Sequence, residues 1–279
     1  MIVQTIPMTE RGSSEGARLD ICVQTHSETV AVGLRPLVLL CPGGAYLYTS
    51  DREAEPVALA FAAKGAHVAI LRYSTAPDAH YPTSLAELGR AVQYMRAHAK
   101  EWWIDPDRIV IQGCSAGGHL AASYACFWRD PARVLAAMNE NNKEERLTDT
   151  EVLKPNGLIL CYPVITSGPH AHRDSIRNLL GDRYDAMCTE MSLETQVSAD
   201  VPPTFLWHTW TDGSVPVQNS LLFASALAEA GINTELHIYP EGGHGLSLAN
   251  RLTLGQSGQE CCPACEGWID LATAWVGRL

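Results

Sequence analysis

An α/β fold organised around a mostly parallel sheet is what this sequence predicts, and three observations carry the prediction. Short apolar runs rich in β-branched residues recur along the chain, stretches with helical spacing fall between them, and glycine or proline punctuates the joins. Runs such as PLVLLCP (36–42) and GLILCYP (157–163) lack polar alternation, as expected of strands buried on both faces. Strands that alternate with helices in this way build a parallel sheet covered by helices above and below.

In chain order, RLDICVQT (18–25) reads as an early strand and PLVLLCP as the first parallel one. EAEPVALAFAAKG (53–65) is helical and stops at Gly65, a C-terminal cap position. AHVAILRY (66–73) is a strand, and PTSLAELGRAVQYMRAHAKEW (82–102) is a helix. RIVIQG (108–113) leads as a strand into the helical segment that begins at Ser115. The strands GLILCYP, PTFLWHT (203–209) and TELHIYP (234–240) follow. The helix PVQNSLLFASALAEAG (216–231), capped at Gly231, and the final helix EGWIDLATAWVGRL (266–279) complete the pattern. Two stretches break it, the polar residues 129–155 and the strandless residues 166–202. Residues 139–149 read as a solvated surface excursion, whereas both stretches sit where loops would cover a crevice at the strand ends. Without a linker or internal repeat, residues 1–279 are expected to form one domain.

Composition limits the partners. The formal net charge of −11 and pI near 5.3 disfavour nucleic acid and anionic membrane surfaces. The apolar runs are too short to cross a bilayer. The first twenty residues lack a basic start followed by an apolar core, so a cytoplasmic location is expected. Of nine cysteines, Cys41, Cys114 and Cys161 fall in buried-strand patterns, which suits a reducing compartment. CCPAC (Cys261, Cys262, Cys265) has one C-x-x-C spacing and no second knuckle, so it reads as a cluster near the last helix rather than a metal site.

The chemistry-bearing pattern starts at GCSAG (Gly113–Gly117), a G-x-S-x-G motif between an apolar strand and a helix. That context is the nucleophile elbow: small neighbours permit a strained turn that exposes Ser115, and the helix N-terminus supplies N–H groups to a developing oxyanion. Serine needs a base, and the base needs an orienting carboxylate. Asp212 follows the strand PTFLWHT, and His244 lies on a Gly-rich loop after TELHIYP, both in the order this arrangement requires. Asp200 stands at the wrong strand end, and Asp174, Asp182 and Asp185 lie in the irregular segment. His119 is expected to bond locally and His208 to support Asp212, while His170 and His172 read as loop surface. PGGAY, after the first parallel strand, offers Gly44 and Ala45 amides as oxyanion donors together with that of Ala116.

These residues resemble the α/β-hydrolase superfamily, and within it the acetyl-xylan-esterase-like, BD-FAE-type branch. The resemblance rests on CPGGAY, LRYSTAP, WWIDPDRIVIQGCSAGGHLAA, CYPVIT, PPTFLWHTWTDGSVPVQNSLLFASAL and YPEGGHGLSLA, across most of residues 36–250. It implies a three-layer fold with Ser115 as nucleophile, Asp212 as acid and His244 as base, and a mechanism that needs no metal or organic cofactor. Pro42 stands where hormone-sensitive-lipase relatives carry the His of HGGG, and Thr211 stands where many relatives carry a second Asp. The expected function is hydrolysis of short acyl esters, acetyl above all, on a small-molecule or oligosaccharide substrate. Tyr46, Tyr48 and Trp210 are candidate pocket residues. A prolyl-oligopeptidase-type peptidase and a non-catalytic binding protein of the same fold are the alternatives. Either a monomer or a homodimer is compatible with the sequence.

Overall fold

Strands β1 (Ile2–Pro7), β2 (Arg18–Val23), β3 (Arg35–Cys41), β4 (His67–Arg72), β5 (Ile104–Cys114), β6 (Gly157–Cys161), β7 (Thr204–Thr209) and β8 (Thr234–Tyr239) form one sheet in a computed structural model that describes residues 1–135, 150–255 and 261–279. Their spatial order is β1-β2-β4-β3-β5-β6-β7-β8. The first two strands are antiparallel to their neighbours, and every pairing from β4 to β8 is parallel.

Helices α1 (Glu55–Ala63), α2 (Thr83–Ala97), α3 (Ala99–Trp102), α4 (Ser115–Phe127), α5 (Pro131–Val134), α6 (Arg173–Leu180), α7 (Tyr184–Met187), α8 (Gln218–Glu229) and α9 (Trp268–Val276) complete the architecture. Because successive strand side chains point to opposite faces, each strand from β3 to β7 feeds two cores. Leu37, Leu39, Ile109, Ile111, Leu158 and Leu160 pack with Leu88 of α2, Leu120 of α4 and Phe223 of α8. Val38, Leu40, Val110, Ile159, Phe205 and Trp207 pack on the other face with Phe61 of α1 and Trp268 of α9. Three layers result, as the uninterrupted apolar runs predict.

The sheet reverses direction of travel between β3 and β5, since β4 lies on one side of β3 and β6 to β8 lie beyond β5. Cys41 at the end of β3 is in register with Gly113 near the end of β5. The PGGAY and GCSAGG turns therefore leave the sheet side by side, at the switch point where ligand crevices form in open α/β sheets.

Several details differ from the sequence reading. β1 was not anticipated, because it is an edge strand with four exposed residues and lacks a buried apolar run. β5 begins at Ile104 and runs through Pro106. Residues 166–202 contain α6, α7 and short 3-10 turns. Of the 129–155 excursion, α5 and a turn at Thr150–Leu153 are described, and the surface excursion expected at 139–149 lies outside the described residues. Gly65 and Gly231 do adopt left-handed backbone, with φ of +98° and +73°. Among the described residues no helix is long and apolar enough to cross a membrane.

Trp207 anchors the second core. It is fully buried, stacks on Trp268 with ring centroids 5.3 Å apart, and meets Tyr162 edge-on at 5.0 Å. Trp207→Ala should cost about 3–5 kcal/mol of unfolding free energy, because a large cavity opens in a close-packed site. Trp210→Ala, at a site 61% exposed, should stay within roughly 0.5 kcal/mol. Urea unfolding of the two variants checks the contrast.

Candidate active site

The turn from β5 into α4 is built on backbone contacts that exclude side chains. A Cβ on Gly113 would lie 2.3 Å from the carbonyl oxygen of Gly117, and one on Gly117 would lie 2.0 Å from that of Cys41. A Cβ on Gly118 would meet Pro163 at 2.7 Å. Each position must be glycine for the strand and helix to approach this closely. Ser115 pays for the turn with a left-handed φ of 53°, a conformation that non-glycine residues adopt at a cost.

The turn delivers Ser115 Oγ to 2.8 Å from His244 Nε2. His244 Nδ1 lies 2.7 Å from Asp212 Oδ2. When Nδ1 carries its proton toward the carboxylate, Nε2 is left to accept from the serine hydroxyl. Asp212 is held on both oxygens. Its Oδ1 accepts the amides of Ser214 and Val215, each at 2.9 Å, and its Oδ2 also lies 3.3 Å from His208 Nε2. Burial opposes the charge on Asp212, but the hydrogen bonds of His208, His244 and Val215 and the nearby His244 charge hold it well below the usual carboxylate range. His208 is itself fixed by Ser220 Oγ at 2.6 Å and the Val215 carbonyl at 2.9 Å. Thr211 bridges to the histidine loop, accepting the Gly242 amide at 2.9 Å and donating to the Gly242 carbonyl at 3.1 Å.

The loop after β3 turns its carbonyls away from the serine. Those of Gly43, Gly44, Ala45 and Tyr46 accept from Ser50 N–H, Leu47 N–H, Asn178 Nδ2 and Ala76 N–H, each at 2.9 Å. The amides of Gly44, Ala45 and Ala116 have no acceptor among the described residues. Gly44 has φ of +131°, and a Cβ there would sit 2.1 Å from the Tyr48 carbonyl oxygen. Gly43 is packed against Ser115, since a Cβ on it would lie 2.9 Å from Ser115 Cβ.

Of the aromatic pocket candidates, Tyr48 and Trp210 are each 61% exposed. Tyr46 is a correction: it is 2% exposed, in a left-handed turn with φ of 56°. Its hydroxyl bonds His119 Nδ1 at 3.0 Å. His119 Nε2 bonds the Met191 carbonyl at 3.1 Å, so Tyr46 ties the loop to α4 and to the 166–202 segment rather than lining a pocket. Within that segment, His170 is exposed and His172 Nδ1 lies 2.9 Å from Ser175 Oγ. Asp200 pairs with Arg129 at 2.9 Å, outside the site. In CCPAC, Cys262 and Cys265 are buried with their Sγ atoms 3.2 Å apart. Among the described residues no three His, Cys, Asp or Glu side chains group as a metal site.

Glu53 is the residue that sequence reasoning missed. It reads as one of three acids before a helix, yet it is 4% exposed and bonded to both Gly43 and Tyr162.

A sheet of this topology with a serine on the β5–α4 turn defines an α/β-hydrolase fold. Residues 19–227 match the BD-FAE family model, and the chain belongs to that family. It is 39% identical over 220 residues to endo-1,4-β-xylanase B of Butyrivibrio fibrisolvens, covering 77% of this chain and 33% of that one. It superposes on an acetyl ester-xyloside bifunctional hydrolase from Caldicellulosiruptor lactoaceticus with a TM-score of 0.80 and 32% identity, covering 99% and 96% of the two chains. A carboxylesterase from Lactobacillus plantarum gives a TM-score of 0.80 at 26% identity, covering 100% and 98%. The chain spans 33% to 51% of the length of the first curated relatives it matches.

His119 generates a stability prediction. Burial lowers its pKa from 6.5 to about 4. Between those values the unfolded chain binds the proton and the folded chain does not, so stability is full above pH 6.5 and falls as pH drops toward 4. The shift corresponds to about 3 kcal/mol. The thermal midpoint should decline across this window, and His119→Gln should flatten the decline. An unchanged slope in the variant would exclude His119 as its source.

Proposed function

We propose that the protein is a serine carboxylesterase that hydrolyses short acyl esters, acetyl foremost, of carbohydrate substrates. The observation that carries the reading is the continuous hydrogen-bonded chain from Ser115 through His244 to Asp212. His244 takes the Ser115 proton as Oγ attacks the ester carbonyl, and Asp212 holds the imidazole in the tautomer that permits it. The amides of Gly44, Ala45 and Ala116 then stabilise the tetrahedral oxyanion. Collapse expels the alcohol, protonated by His244, and leaves the acyl group on Ser115. Water repeats the sequence and releases the acid.

The acetyl and carbohydrate parts draw on the relatives. One structural neighbour is named an acetyl ester-xyloside hydrolase and another a carboxylesterase. Exposed Tyr48 and Trp210 would offer ring faces to a sugar. We further propose that residues 1–279 act as one domain in which residues 166–202 border the site, consistent with the bond from Asn178 to Ala45.

A fluorophosphonate probe should label the wild type and not Ser115→Ala. Hydrolysis of p-nitrophenyl acetate should exceed that of the octanoate, and acetylated xylo-oligosaccharides should release acetate. Preference for the octanoate would contradict the short-acyl assignment, and cleavage of a prolyl anilide or a xyloside without acetate release would redirect the function. Asp212→Asn should lower kcat about a thousandfold or more, because the imidazole loses its orienting acceptor.

A further inference from the structure

Glu53 is a buried carboxylate with an unusual set of partners. Its acidic neighbours Asp51 and Glu55 face Arg72 at 2.8 and 3.1 Å. No Lys or Arg among the described residues forms an ion pair with Glu53 itself. A buried carboxylate without a cation is costly unless its oxygens are met by well-directed donors. Both oxygens of Glu53 are met by groups that belong to the site. Oε2 accepts the Gly43 amide at 2.8 Å, and Oε1 accepts the Tyr162 hydroxyl at 2.8 Å.

These two bonds, with one further bond to Tyr162, join three loops. Gly43 leads the loop after β3, and its carbonyl is already fixed by the Ser50 amide at 2.9 Å. With N–H held by Glu53 and C=O held by Ser50, Gly43 has no freedom to rotate, and the direction of the next amide, that of Gly44, is set. The same glycine is clamped between Glu53 and Ser115: a Cβ on it would lie 2.6 Å from Glu53 Oε2 and 2.9 Å from Ser115 Cβ. Tyr162 follows β6 in a left-handed conformation, φ 38°, and its ring meets that of His244 edge-on at 5.2 Å. The Tyr162 oxygen accepts the Ser247 amide at 2.9 Å, from the loop that carries His244. Because that oxygen accepts from Ser247, its hydrogen is free to point at Glu53. Two donors thus converge on one side chain, and a carboxylate supplies the two acceptors that an amide does not.

We propose that Glu53 is a positioning residue that orients the oxyanion loop and the histidine loop against Ser115 at once. The proposal rests on the esterase reading above. It assigns Glu53 no contact with substrate. Its effect falls on the transition state, where the amides must meet developing charge, and little on ground-state binding.

The test uses the full chain, p-nitrophenyl acetate as substrate and phenylboronic acid as a mimic of the tetrahedral state. Glu53→Ala should lose about tenfold or more in kcat while KM stays within about twofold, since it weakens interactions made in the transition state. Affinity for phenylboronic acid should fall by the same factor as kcat/KM. Glu53→Gln keeps one acceptor and should lie between the alanine variant and the wild type. It also decides the matter if Glu53→Ala does not fold. Folded variants with wild-type kcat would overturn the proposal, as would a lost kcat with unchanged phenylboronic acid affinity. A wild type that neither hydrolyses the ester nor binds the boronic acid overturns the esterase reading and this one with it. Activity and binding in the wild type with indifferent Glu53 variants overturns this one alone.

Discussion

The close approach of helix α4 to the carboxyl ends of β3 and β5 is the constraint on which the rest of the structure depends. Gly117 lies so near the Cys41 and Pro42 carbonyls that a Cβ would fall 2.0 and 2.4 Å from them. Backbone touches backbone, and Ser115, two residues before Gly117, carries a strained left-handed φ of 53°. Strain of this kind persists only when its surroundings over-determine it. Here they do: the Ser115 carbonyl accepts the Val164 amide at 3.0 Å, and the Tyr73 hydroxyl holds the Pro42 carbonyl at 2.7 Å. The helix N-terminus is thereby brought beside the loop after β3, where the amides of Gly44, Ala45 and Ala116 are left without acceptors.

Polar burial around this contact is organised to leave little undefined. Asp212 gathers donors from His244, His208, Ser214 and Val215, so its carboxylate has one stable orientation. Glu53 does the same for the opposite side of the site. Histidines near the site are committed as well, His119 to Tyr46 and Met191 and His208 to Ser220 and Val215. His244 joins the Asp212 carboxylate to the hydroxyl of Ser115 at the elbow, the arrangement that general base chemistry needs.

How much of this was legible in the sequence depends on whether the signal was local. The parallel strands announced themselves through apolar runs, and the order of Ser115, Asp212 and His244 along the chain placed each on the loop where the structure has it. β1 was invisible because an antiparallel edge strand needs no buried pattern. In residues 166–202, α7 has four residues, so periodicity had nothing to repeat there, whereas α6 (Arg173–Leu180) carries buried Ile176, Leu179 and Leu180 at helical spacing and was legible. Tyr46 was misplaced because its partner His119, 73 residues away, reaches it only through the fold. Glu53 was hidden for a different reason. Its partners Gly43, at |i−j| of 10, and Tyr162, at 109, come together only through the fold.

The proposed chemistry requires that the negative charge formed when Ser115 Oγ attacks a carbonyl or phosphonyl centre be received by the amides of Gly44, Ala45 and Ala116. A crystal structure of the covalent phosphonate adduct measures this most directly. Phosphorus is expected on Ser115 Oγ, with one phosphonyl oxygen within hydrogen-bond distance of the Ala116 amide and of the Gly44 or Ala45 amide. Phosphorus on another residue, or a phosphonyl oxygen turned to solvent with those amides still unbonded, would contradict it.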